Sequence, residues 1–324
     1  MSSREQAFIM ALRQIAGDPA ARNLSDDAAI LARPTGDLVL SHDMIVENVH
    51  YLSNDPPETV AQKLVGVNLS DLAAKGAKPL GALMGYSLGI DYKWDQAFVK
   101  GLASACHQYN LPLLGGDTVA LPRHTAHFSG MTVIGLAPSC GAPDRRGAKA
   151  EDDLWVTGPI GDAGFGLRIL NRRKPIDNPL TEILIQAYRC PVPRLEEGAW
   201  LAPYVHAMAD ISDGLLIDAK RIAEASNLGV KVNLDKMPLS KEAIAYFGDS
   251  PTTRLQAATA GDDYQLILSA PSSCRHKLQH LADEKNFGLF RVGKFSQEKG
   301  LSLYNQHGLI TPPSNLGYEH GCNC

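Results

Sequence analysis

VNLSDLAAKGAKP, residues 67–79, decides how the first half of the chain is read. Its Leu and Ala content favours helix. Upstream, Val60, Leu64 and Val67 form an apolar stripe at helical spacing. Four residues further the stripe lands on Asp71, with Asn68 beside it one turn back. The spacing therefore predicts a helix over 58–75 that turns a carboxylate toward the face it should bury. Strand-like segments recur around it at Leu38–Leu40, Leu83–Leu88, Leu111–Leu114 and Phe128–Leu136, and a second helical segment covers Asp95–Tyr109. Alternation of this kind argues for a mixed α/β domain over residues 1–138. Phe8, Leu12 and Ile15 mark an amphipathic helix at its start.

Residues 137–153, APSCGAPDRRGAKAEDD, are rich in Pro, Gly and charge, as linkers are. Beyond them the strand DLWVTG runs into PIGDAGFGLRIL, a Gly-rich turn entering a helix. HAMADISDG, a helix over Leu215–Ser226, the strand VKVNL and TAGDDYQLILS follow. The expected architecture is a two-domain α/β (α+β) subunit, with a mixed-sheet N-terminal domain over 1–138 and a C-terminal α/β domain over 150–324.

Hydrophobic residues make up 44% and charged residues 20% of the chain, as in ordinary globular proteins. The net charge is −4 with no basic stripe, which argues against nucleic acid as a partner. No apolar run approaches the ~18 residues that span a bilayer, so no membrane role is expected. MSSREQAFIMALRQIAGD lacks the apolar core of a signal peptide. None of the six cysteines forms a C-x-x-C pair, which points away from zinc or a disulfide framework and toward a reduced, cytoplasmic protein. The terminal HGCNC, with Cys322 and Cys324, reads as a tail.

Aspartates gather at the ends of apolar runs: Asp26 and Asp27 before AAIL, Asp43 after LVLSH, Asp71, Asp117 after LPLLGG, Asp210 and Asp213 in ADISDG, and Asp262 and Asp263 before YQLIL. Taken singly, each is a cap or a turn residue. As a set they repel one another, and the same motifs carry few Lys or Arg to neutralise them. Open α/β sheets bind ligands at strand ends, and hard oxygen donors select Mg²⁺ or a similar ion, normally shared with substrate phosphates. The set therefore predicts a metal–nucleotide site. No P-loop or protein-kinase signature is present. GPIGDAGFG, residues 158–166, has the wrong spacing for a dinucleotide fingerprint. Its helix start could receive a phosphate, or its glycines serve close packing.

SDDAAIL (25–31), SHDMIVENVHY (41–51), VNLSDLAAKGAKP, LLGGDTV (113–119), DLWVTGPIGDAGFGL (153–167), ADISDGLLIDAKRI (209–222) and AGDDYQLIL (260–268), in this order, resemble the thiamine-monophosphate kinase family of the aminoimidazole-ribonucleotide-synthetase-like superfamily. The resemblance implies transfer of a phosphoryl group from ATP to thiamine monophosphate, several Mg²⁺ ions, and a homodimer paired through its N-terminal sheets. By motif match, Asp27, Ser41, Asp43, Asp71, Asp117, Asp210 and Asp213 ligate metal, and Asp71, Asp117 and Asp213 carry catalysis through it. Gly116, Asp117, Arg145 and Ser212 contact ATP; His50, Asp262 and Asn315 contact the thiamine substrate. The chain departs from the family at Ser25 (usually Gly), His42 (often Thr, so that a backbone carbonyl is the expected ligand there), Asp262 (more often Glu) and Asn315, which stands near an aromatic position, with Tyr318 close by. Two other readings stand beside this one. One is a different ATP-using enzyme of the superfamily, such as the hydrogenase-maturation type with its C-terminal cysteine. The other is a nucleotide- or metal-binding module without catalysis.

Overall fold

The computed structural model describes residues 4–32, 35–89, 91–122, 124–172 and 178–319; the HGCNC tail lies outside them. The chain divides into two compact units. One holds the described residues up to Leu72 together with Ala77–Ser139. The second holds Ala73–Gly76 together with the described residues from Cys140 onward.

In the first unit, α1 (Arg4–Arg13), β1 (Leu38–Val46), α2 (Pro57–Ala73), β2 (Lys78–Leu88), α3 (Tyr92–Gln108), β3 (Leu113–Ala120) and β4 (Phe128–Leu136) build a four-stranded sheet in the order β1-β4-β2-β3. Only β2 and β3 are parallel. β1 is three times as long as its apolar LVL start foretells, because it stays in register with β4 from Leu38↔Leu136 to Val46↔Phe128. β3 likewise continues through Gly115, Gly116 and Asp117, held against Leu83, Met84 and Gly85 of β2. α3 begins ahead of the expected Asp95, since Asp91 caps it by accepting from the Trp94 N–H at 2.8 Å. Asp95 is instead buried and accepts from the Tyr86 hydroxyl (2.9 Å), the Gly89 N–H (2.7 Å) and Arg4.

α2 and α3 cover one face of this sheet. Leu72 lies against Gly135, Phe98 packs its ring on Tyr86, and Gly101 lets α3 approach the Glu58 backbone, where a Cβ would come within 2.2 Å. The opposite face is bordered by the segment 21–31 and leaves Leu38, Leu40, Met44 and Leu83 exposed, Leu40 at 62%.

The second unit follows with β5 (Asp153–Val156), α4 (Asp162–Leu170), α5 (Pro179–Arg189), α6 (Leu195–Leu201), β6 (Ala207–Asp210), α7 (Leu215–Ala225), β7 (Gly229–Asn233), α8 (Lys241–Phe247), α9 (Pro251–Ala258), β8 (Leu266–Ala270), α10 (Arg275–Lys285), β9 (Phe290–Ser296), β10 (Gly300–Asn305) and β11 (Gly308–Ile310). Its strands form one sheet, β11-β10-β7-β9-β5-β8-β6. One face packs Leu154, Val156, Val230 and Val232 against α4 and α7. The other packs Trp155, Met208 and Leu268 against α10, α6 and the pair Ala73–Ala74. Among the described residues no helix is long and apolar enough to cross a membrane.

Candidate functional site

Alternation along β1 turns Val39, Ser41, Asp43 and Ile45 toward α2 and leaves Leu38, Leu40, His42 and Met44 on the open face. On the α2 side, Ser41 Oγ donates to Asp71, and Asn68 Oδ1 accepts the Asp43 N–H at 2.8 Å while its amide donates to the Leu64 carbonyl at 2.9 Å. Ser41, Asp43 and Asp71 are thus gathered around Asn68. The stripe of Val60, Leu64 and Val67 is buried as expected, but it is not the one buried face of α2. The helix is buried nearly all round, with Ala61, Leu64, Val65, Leu69 and Leu72 fully enclosed, and Asp71 is one of its partly exposed side chains. The charge sits at an opening, and the polar groups that α2 buries are Lys63, Asn68 and Ser70.

Asp43 and Asp117 do not lie beyond strand ends as expected; both stand inside strands. Asp117 is exposed, accepts from the Thr118 N–H at 2.9 Å, and pairs in register with Gly85 on the open face. Gly116 before it is forced by packing: a Cβ there would lie 1.9 Å from the Met84 carbonyl. Asp27, His42, Gly116, Asp117 and Thr132 line a cavity of about 640 Å³. Asp26 lines it too, and Arg22 holds its carboxyl below the ordinary range. The first-unit set therefore falls into two groups on the two sheet faces. Among the described residues no three His, Cys, Asp or Glu side chains come together as a metal cage.

His50 closes its own turn, its Nδ1 accepting the Val46 N–H at 3.1 Å. Beside it Tyr51 Oη lies 2.6 Å from His127 Nδ1. Burial pushes the Tyr51 hydroxyl above its ordinary range and His127 below its own, so the pair stays neutral. Nothing in the spacing of these residues announces that contact.

In the second unit, Asp210 ends β6 and is buried, and the turn after it carries Ser212 and Asp213 into α7. The Tyr264 N–H donates to the Ile211 carbonyl and the Asp262 N–H to the Ser212 carbonyl, both at 2.8 Å. Asp262 is thereby brought beside Ser212 and Asp213 from fifty positions away. Both Asp262 (φ 69°) and Tyr264 (φ 49°) take left-handed backbone, a strained conformation that concentrates at functional sites. The expected shortage of cations is corrected here: Arg221, two turns into α7, pairs with Asp213 and, at 2.9 Å, with Asp218. The Asp218–Arg221 spacing is a legible helical pair; its reach to Asp213 is not. Tyr318 is anchored at this turn by its backbone, its N–H donating to the Asp213 carbonyl at 2.9 Å. Asn315 Oδ1 accepts from the Gly317 N–H at 3.1 Å. Arg146 is tied to Asp144 at 2.7 Å, whereas Arg145 is exposed with no ion-pair partner among the described residues.

The start of α4 is filled by the chain itself. Asp263, half-buried, accepts from the Gly161 N–H at 2.7 Å and the Ala163 N–H at 3.4 Å, so the phosphate reading of GPIGDAGFG gives way to the packing one. Gly161, Gly164 and Gly166 press on Ala257, Ala260 and the Leu184 carbonyl, where a Cβ would meet atoms at 2.4, 2.3 and 2.0 Å. Burial also pushes Asp162 up to about 6, although Ser240 donates to it at 2.6 Å. A folded-state value above the unfolded 3.8 means that folding favours the protonated acid, so this contribution to stability is lost as pH rises from about 4 through about 6. Asp162→Asn keeps an acceptor for Ser240 and has no proton to lose. Its melting temperature relative to wild type should climb over that interval and level off above it; a difference that stays flat from pH 4 to 7 contradicts the assignment.

Similarity to known proteins follows the same division. The AIR synthase related protein N-terminal domain matches residues 25–137 and its C-terminal domain residues 149–305. A thiamine-monophosphate kinase of Caulobacter vibrioides is 37% identical over 311 residues, 94% of this chain and 87% of the relative. The crystal structure of thiamine-monophosphate kinase from Stenotrophomonas maltophilia superposes with a TM-score of 0.82 at 30% identity, covering 95% of this chain and 98% of that one. AaThiL complexed with AMPPCP and TMP superposes at 0.77 and 25% identity, over 98% and 99% of the two chains. With both domains matched and identity sustained along nearly its whole length, the chain belongs to the thiamine-monophosphate kinase family of AIR synthase related proteins.

Proposed function

We propose that the chain transfers the γ-phosphoryl group of ATP to thiamine monophosphate, giving ADP and thiamine diphosphate. The 37% identity to a thiamine-monophosphate kinase over 94% of the chain carries this reading. A structural relative is a complex with both ligands the reaction needs: AMPPCP, an ATP analogue, and TMP.

Asp27, Ser41, Asp43, Asp71, Asp117, Asp210 and Asp213 offer oxygen donors only, the chemistry that suits Mg²⁺. Mg²⁺ usually takes one or two carboxylates and completes its shell with water and substrate phosphates, so small groups of carboxylates fit it better than a closed cage. When bound, Mg²⁺ neutralises phosphate charge and aligns the phosphates for in-line transfer. Ser41 and Asn68 fix the Asp71 carboxylate and the Asp43 backbone in place beforehand. Gly116, Arg145 and Ser212 contact the nucleotide; His50, Asp262 and Asn315 contact the thiamine. The acceptor is a phosphate oxygen already ionised near neutral pH, so no residue serves as general base.

The open sheet face with Leu38, Leu40, Met44 and Leu83 fits a second copy of the chain, since a patch of that kind is rarely left to water. Cys106, Cys140, Cys190 and Cys274 are free thiols, which suits the cytoplasm.

A coupled ADP assay tests the reaction. ADP release should require thiamine monophosphate and fall to background when EDTA removes the metal. Release that ignores thiamine monophosphate, or ATP binding with no release, overturns the reading in favour of another activity or a non-catalytic module. Sedimentation velocity on the same preparation should give twice the chain mass; the mass of one chain rejects the pairing.

A further inference from the structure

The outer half of the second-unit sheet carries a feature that phosphoryl transfer leaves unused. On one face of β7 and β9, Val230, Val232, Val292 and Phe295 enter the core. On the other, Lys231 stands directly opposite Lys294 in the antiparallel ladder, and Lys294 in turn lies opposite Asp153 of β5. Like charges opposed across strands destabilise a sheet. More positive charge surrounds them. Lys231, Lys236, Arg275, Arg291 and Lys294, with Asp153, line a groove of about 380 Å³. That volume lies within the ~300–1,000 Å³ of small-molecule sites.

The carboxylates nearby do not balance this. Asp153, 1% exposed, is shared between two guanidinium groups, with Arg275 at 2.7 Å and Arg291 at 3.4 Å. Glu151 pairs with Lys294 and Glu298 with Lys231, but their side chains are 73% and 80% exposed, so water and salt screen them. Lys236 has no ion-pair partner among the described residues. Five cations thus face three carboxylates, and the excess matches the charge of one dianionic phosphoryl group. Arg and Lys together are the usual means of holding such a group, the first by its planar fork and the second as a point charge. The patch is too short to track a nucleic-acid backbone, and the chain as a whole is acidic.

We propose that this groove binds a small phosphorylated molecule, a phosphate monoester or a diphosphate, whose phosphoryl group sits between Lys231, Lys236 and Lys294 with Arg291 beside it. The groove is built from β10, β7, β9 and β5, the turn after β7 that carries Lys236, and the start of α10 with Arg275; it does not include β6, which carries Asp210.

Isothermal titration of the full chain at low ionic strength, in EDTA, tests the site with two probes: inorganic diphosphate and ribose 5-phosphate. Saturable one-to-one binding is expected for at least one, weakening as NaCl is raised. Tighter binding of the sugar phosphate makes the ligand an ester; tighter binding of diphosphate makes it the inorganic anion or a diphosphate. Lys231→Glu with Lys236→Glu should weaken binding at least 10-fold. Lys236→Gln, at an exposed and unpaired side chain, keeps the fold and should weaken it about 3-fold. Asp71→Asn, in the other unit, should leave it unchanged. No saturable binding by wild type, equal affinity in the lysine variants, or loss in Asp71→Asn overturns the proposal.

Discussion

Asp71→Asn is expected to lower turnover by about 10²–10³-fold, the scale of removing one aimed electrostatic group from a transfer site, with little change in melting temperature. The side chain is partly exposed, and the Ser41 hydroxyl is the hydrogen-bond partner described for it. Asn has the same size and keeps an oxygen for Ser41, so the lost quantity is one negative charge. If that charge serves to hold Mg²⁺ against phosphate, ADP release falls and the metal concentration needed for half-activity rises. If Asp71 serves only the helix, stability falls and the metal dependence stays. Wild-type rates at ordinary Mg²⁺ would sink the proposed role.

Gly116→Ala should destabilise the first unit by about 1–3 kcal/mol or more, the usual cost of overpacking. The methyl would meet the Met84 carbonyl at 1.9 Å, and the neighbouring Met84 atoms at 2.8 and 3.0 Å are also backbone, so no flexible side chain can swing away. β3 must shift relative to β2, carrying Asp117 with it, and activity should fall as well. Denaturant unfolding without nucleotide separates the causes. An unchanged midpoint with lost ATP binding would make Gly116 a nucleotide contact alone.

β4, FSGMTVIGL, in which apolar residues recur along the whole length, matches its expected range from end to end, whereas β2 begins at Lys78, ahead of the expected Leu83. β1 and β3 were foreseen only in their apolar parts, because Ser41-His42-Asp43 and Gly115-Gly116-Asp117 have no strand propensity of their own and are held by their neighbours. The same residues are the candidate ligands, so local pattern fails where the site begins. The motifs named the carboxylates, yet spacing alone could not tell Asp262, beside the Asp213 turn, from Asp263, which caps α4 from a hundred positions away. Nor could it foresee that Arg221 reaches back to Asp213. Those are tertiary facts, fixed by which segments the fold brings together.

VNLSDLAAKGAKP is itself divided by the fold. Asn68 and Asp71 belong to the first unit, whereas Ala73–Gly76 belong to the second. There Lys75 Nζ donates to the Pro143 and Met208 carbonyls at 3.1 Å, and Gly198 comes so close that a Cβ would lie 2.0 Å from the Ala73 carbonyl. A gene fragment beginning at Cys140 would therefore encode a core lacking Ala73 and Ala74, two residues it encloses. The second unit is not a portable module. Recombination that exchanges it between relatives has to carry four residues from the middle of the first half, or find four that fit the same gap.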